Sequence, residues 1–197
     1  MAETAGNSDQ SMSIHEAAEK CNVIQLQRAL AAGASPNFRS GVGHVAAIHL
    51  LCRTKLNHAD EFPARLEVRL RVGARLACLD LLRQSPDFDV NAPDRNGDLA
   101  IHYLGCHATS RNDVEFMQAV VDAGADVNRM GGPGDDSDEE DGDEPCTPLL
   151  DALFSFRDQP AKCQAVTTLL LRAGADVRRS TPRGMTPLHI AAMWGLT

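Results

Sequence analysis

Apolar residues recur along this chain in short blocks at helical spacing, and each block runs into a turn. Val23, Leu26 and Leu30 form one stripe, Val114, Met117 and Val121 another, and Val166, Leu169 and Leu170 a third. Spacings of three and four put each set on one helix face. Other blocks open with helix-start signals. Thr147-Pro148 and Thr186-Pro187 combine a capping hydroxyl with a proline whose missing N–H is harmless in the first turn. Ser13 and Glu16 have the spacing of a capping box. Gly33, Gly124 and Gly174 stand where the stripes end, a place for a left-handed terminating residue. Alanines at 17, 18, 191 and 192 let short first helices approach their neighbours closely. The pattern predicts pairs of short helices. Each pair is too thin to hide its apolar face alone, so stacking must supply the core.

Two segments read differently. In residues 54–74, Leu66, Val68, Leu70 and Val72 alternate as in a strand, whereas Leu66, Leu70, Ala77 and Leu81 suit an extended second helix. The helix is the expectation, because Arg75 to Arg83 is helical in any register. Residues 1–12 are polar and small, and a disordered tail is expected there.

The blocks also repeat as words. Gly184-Met185-Thr186-Pro187-Leu188-His189-Ile190-Ala191-Ala192 and Ala123-Gly124-Ala125-Asp126-Val127-Asn128 both resemble the ankyrin repeat. The opening Thr-Pro-Leu-His word is complete at Thr186 to His189 and partial at Thr147 to Leu150. It is reduced to Ala100-Ile101-His102, Ala47-Ile48-His49 and Ile14-His15 elsewhere. The closing word recurs at Gly33 to Asn37, Asp87 to Asn91, Gly124 to Asn128 and Gly174 to Arg178. His15 to Asn37 spans 22 residues and Asn91 to His102 spans 11, which together make the ankyrin period of about 33. Longer spans then locate insertions of 20 residues after His49, 4 after His102, 11 after Asn128 and 6 after Leu150. The units are 13–39, 40–93, 94–130, 146–180 and a half repeat at 184–197, with an insertion at 54–74 and an acidic loop at 131–145. The expected fold is all-α: an ankyrin-repeat solenoid of stacked helix-turn-helix units with inter-repeat hairpin loops.

That resemblance carries expectations about individual residues. His15, His49, His102 and His189 share one repeat position, where ankyrin proteins use the imidazole to tie down the helix-start turn. Asn37, Asn91 and Asn128 share another, where asparagine hydroxylation occurs in the family; Arg178 replaces it in the fourth unit. Ankyrin arrays bind proteins through finger tips and the first-helix face. The implied tip residues are Arg39, Asp94, Arg95, Asn96, Arg129, Met130, Arg179 and Arg183.

Charge changes the picture at one place. The 197-residue chain is 43% hydrophobic, enough for one mid-sized domain with a core, and carries a formal charge of −8. Eight of its 27 acids (Asp135, Asp136, Asp138, Glu139, Glu140, Asp141, Asp143 and Glu144) lie between Gly131 and Pro145, leaving 19 against 19 Lys and Arg. A formally neutral body lacks the basic excess of a nucleic-acid binder. No apolar run reaches the roughly 18 residues of a membrane span, and the N-terminal residues lack a signal-peptide pattern. The six cysteines never form C-x-x-C, which speaks against a zinc module or a thioredoxin-like pair and for reduced thiols in cytoplasm or nucleus.

The acidic run cannot pack and is expected to be an extended, disordered tether suited to a basic partner segment, or else a merely solvating insertion. Placing Gly142 sixth in an EF-hand frame puts Ser137 first and Pro148 twelfth, so that pattern fails. Ser137, followed by Asp138, Glu139 and Glu140, resembles an acidophilic kinase target, and phosphate there would add about −1.5 to −2 charge. Gly41-Val42-Gly43-His44-Val45-Ala46 matches a dinucleotide fingerprint but lacks its strand-then-helix setting. His49 with Cys52 and His102 with Cys106 could share helix faces, yet the repeat position explains these histidines together. Arg65, Arg69, Arg71 and Arg75 read as a solvated, ion-paired helix face, or as a contact for an acidic partner or the acidic loop.

No hydrolase, Walker or zinc-protease string occurs. The ankyrin resemblance implies a protein-interaction module, and the expected function is a non-enzymatic adaptor, scaffold or inhibitor without cofactor, metal, nucleic-acid or membrane partner. Leu188, Ile190, Met193 and Trp194 form an interior-type helix, which implies self-association through an open half repeat or the N-terminal regulatory region of a longer protein with an enzymatic or DNA-binding activity. A quiescent spacer is the third expectation.

Overall fold

The computed structural model describes residues 13–39, 44–53, 64–108, 110–132 and 144–195, and side chains from 72 onward within 64–83. The tail at 1–12, the first half of the 54–74 insertion and the acidic run from 133 to 143 lie outside the described residues.

Among the described residues the chain is helical, with nine helices and no strand: α1 (Ile14–Glu19), α2 (Val23–Ala31), α3 (Ala47–Arg53), α4 (Ala64–Arg83), α5 (Ala100–His107), α6 (Arg111–Asp122), α7 (Pro148–Ser155), α8 (Pro160–Arg172) and α9 (Pro187–Trp194). None is long and apolar enough to cross a membrane. The caps follow the sequence signals. Thr147 and Thr186 accept hydrogen bonds from the amides of Leu150 and His189, with proline in the first turn. Ser13 caps α1 by accepting from Glu16 N–H, but the Glu16 carboxylate binds Lys20 instead of closing the box. A full box does form at Ser110 and Asp113, opening α6.

The odd helices stack on one another in chain order, α1 on α3, α5, α7 and α9, and the even helices from α2 to α8 form a second row packed on the first. Alanine makes the first row close. Ala17, Ala18, Ala47, Ala100 and Ala152 are fully buried, and a Cβ built on Gly105 would come within 2.9 Å of the Pro148 carbonyl oxygen. The even-row stripes, with Leu26, Met117 and Val166, fill the space between the rows. The described part of the insertion, from 64 onward, is helix: α4 runs for 20 residues against 9 in α2, so the alternating pattern at 66–72 does not make a strand.

Arg75 departs from the expected solvated basic face; the side chains of Arg65, Arg69 and Arg71 lie outside the described residues. Arg75 is 1% exposed, donates Nε to Leu51 O (2.7 Å) and Nη2 to Cys52 O (3.1 Å), and pairs through Nη1 with Asp113 Oδ1 at 2.8 Å. Its guanidinium lies 3.9 Å from the centroid of Phe116. A buried charge needs that many partners. The network ties the end of α3 to α4 and α6, and Asp113 Oδ2 accepts from the amide and hydroxyl of Ser110.

Candidate interaction surface

Side-chain amides link successive turns between the units. Asn91 donates Nδ2 to Gly124 O (3.0 Å) and accepts from Asp126 N–H (2.7 Å); Asn128 does the same with Gly174 O and Asp176 N–H. Asn37 binds Asp87 O and accepts from Asp89 N–H. Both polar ends of each amide are thereby used.

His102 Nδ1 accepts from Leu99 N–H (3.0 Å), which leaves Nε2 as the donor to Arg129 O at 3.0 Å; His49 bonds Ala46 N–H and Asp98 O in the same way. Burial holds both imidazoles below the usual histidine pKa, so they stand neutral at neutral pH. His15 Nε2 is hydrogen-bonded to the Phe38 and Val45 carbonyl oxygens, and His189 joins the Thr186 cap. These imidazoles are committed to holding turns. Burial also pushes the Cys52 and Cys78 thiols up to about 12, so neither is a thiolate nucleophile at neutral pH. Among the described residues no group of His, Cys, Asp or Glu has the arrangement of a metal site.

The tips are two similar turns. Asp94 N–H donates to Asp98 O and Thr181 N–H to Met185 O, framing 95–97 and 182–184. Arg39, Arg95, Asn96, Arg129, Arg179 and Arg183 are exposed and Met130 is half-buried. Asp94 departs from the expected tip role. It is only 6% exposed, and its carboxylate accepts from the amides of Asn96 and Asp98 and from the Tyr103 hydroxyl at 2.6 Å. It shapes the turn that presents Arg95 and Asn96. Trp194 is exposed, with the Arg157 guanidinium 5.1 Å from its ring centroid. Asp135, Asp136, Ser137, Asp138, Glu139, Glu140 and Asp141 lie outside the described residues.

What the sequence did not reveal is the stem beneath that acidic run. Gly131 and Cys146 exchange both backbone hydrogen bonds, 2.8 and 2.9 Å, in an isolated antiparallel bridge. Asp98 Oδ1 accepts from Gly132 N–H at 2.8 Å, while His102 holds Arg129 O just before it. A Cβ on Gly131 would overlap Asp98 Oδ1 and lie 2.8 Å from His102 Nε2, so glycine is required for the stem to lie this close to α5. Glu144, the last acid of the run, forms an ion pair with Arg183 from the neighbouring tip. Beside the stem, between α5 and α7, is a pocket of about 530 Å³. A larger, mostly apolar groove of about 960 Å³ runs along α7, α8 and α9 past Leu153, Leu171, Val177 and Leu188.

No protein-family model matches the chain, and no curated protein matches it.

Proposed function

We propose that this chain is an ankyrin-repeat solenoid acting as a non-enzymatic adaptor, scaffold or inhibitor, and that it engages a protein bearing a basic segment. Three features support the ankyrin reading: the two stacked rows, the asparagine links between turns, and imidazoles at one recurring position that tie down turns, His49 reaching into the next unit. The observation that carries the functional reading is the stem. The Gly131–Cys146 bridge fixes the base of the most acidic stretch beside the first-helix row, next to the pocket between α5 and α7. Charge anchored at a fixed place steers a basic partner to one surface, and such steering weakens with salt. The same reading makes the apolar groove along α9 a self-association surface.

Deleting Asp135 to Glu144 tests it. Capture of a Lys/Arg-rich peptide at low salt should fall by about tenfold or more while the helical circular-dichroism spectrum persists. Unchanged capture would remove the loop from the function.

A further inference from the structure

The pocket between α5 and α7 combines two kinds of wall. Asp98 from the turn before α5, Glu144 from the stem and Asp151 from α7 bring three carboxylates, while Tyr103 from α5 and Phe154 from α7 bring aromatic surface. One cation of the chain is already seated there, Arg183, through its ion pair with Glu144. The formal balance of the charged lining remains negative. It is a small site lined by both acids and aromatic rings.

The same row shows what such rings do elsewhere. Arg53 from the end of α3 lies 5.7 Å from the centroid of Tyr103, and Arg157, just after α7, covers Trp194. In these two intervals, α3 to α5 and α7 to α9, a guanidinium of the chain lies over the aromatic ring of the next helix. In the interval between α5 and α7 the sequence offers Cys106 and His107 at the end of α5 instead of arginine. Phe154 is 38% exposed, and among the described residues no guanidinium stacks on it.

We propose that this pocket receives an arginine side chain from the partner's basic segment. The guanidinium packs its face on Phe154, bonds its edge to Asp151 and Glu144, and displaces Arg183 from Glu144. A planar delocalised cation can use both kinds of wall at once, whereas an ammonium is a point charge with no face to stack. The inference rests on the interaction-module reading and specifies the side chain that the partner must present. Arg183 is the internal competitor for the same carboxylate.

The test is a titration of the whole chain at low salt with a short Gly/Ser peptide carrying one central arginine, followed by amide NMR. Saturable shifts are expected at Gly132, Asp151 and Phe154. Replacing the arginine by citrulline, its neutral isostere, should weaken binding at least about tenfold. Phe154→Ala and Asp151→Asn should each weaken it about three- to tenfold, with the remaining amide spectrum retained. Arg183→Ala should tighten it about threefold, and Arg179→Ala, which changes the net charge equally, should not. Equal binding of the citrulline peptide, or equal effects of the two arginine substitutions, would overturn the proposal. Arginine-dependent shifts confined to residues 133–143 would remove the pocket but keep the basic-partner reading. No arginine-dependent shift anywhere would remove both.

Discussion

Single residues in this chain are decided by how many partners they can hold. His102 is a capping acceptor and a donor to the Arg129 carbonyl at once, which requires the neutral imidazole with its proton on Nε2. Burial lowers the pKa of His49 and His102 from 6.5, so the unfolded chain takes up protons first as pH falls. Stability is thus unaffected by these groups above pH about 6.5 and falls below it, by up to ~1.4 kcal/mol per pH unit for each histidine, until the folded-state pKa is reached. Urea midpoints measured at pH 7.5 and 5.5 should show the lower value at 5.5, and His49→Gln with His102→Gln should flatten the difference. A midpoint that rises on acidification would contradict this account. The repeat position of these histidines was legible from their spacing. Their protonation state was not, because it is set by burial within the stack, against the pull of the Asp98 and Arg129 carbonyls brought in from other turns.

Helices here are joined by polar devices as much as by apolar stripes. Arg75 belongs to α4 by sequence, yet its hydrogen bonds go to α3 and α6, and the spacing of basic residues along α4 gave no sign of that. The one local hint was Ser110-x-x-Asp113, a capping-box spacing directly before the Val114 stripe. Removing one partner of a buried ion pair leaves the other unsolvated. Arg75→Ala should therefore destabilise the chain by about 3–5 kcal/mol. The apolar pair Arg75→Met with Asp113→Leu should recover most of that loss in denaturant unfolding. A double variant as unstable as the single one would show that shape, and not charge pairing, is what this site supplies.

Across the molecule, the two ends of the stack differ. At the start, α1 turns Glu16, Glu19 and Lys20 to solvent, a polar face. At the other end Leu188 is 76% exposed and Trp194 40%, while Ile190 is buried against α7. Stacked repeats leave such a face apolar wherever another layer is meant to lie. Self-association through it predicts a sedimentation-derived mass that rises with protein concentration, and Leu188→Glu should hold the chain monomeric. A mass independent of concentration in the unsubstituted chain would exclude that use of the groove.

The helices and most of their caps were legible in the sequence itself, because each depends on residues within a few positions of one another. Only the tertiary structure decided that Arg75 is buried, that the Asp94 carboxylate is buried against Tyr103, and that Glu144 meets Arg183. The same holds for the pocket. Asp98, Tyr103, Glu144 and Phe154 come from separate turns and helices, and no local pattern records which side chains the stacking of α5 on α7 and the Gly131–Cys146 bridge will bring face to face. Spacing along the chain fixes which face a residue occupies. Stacking fixes what that face meets.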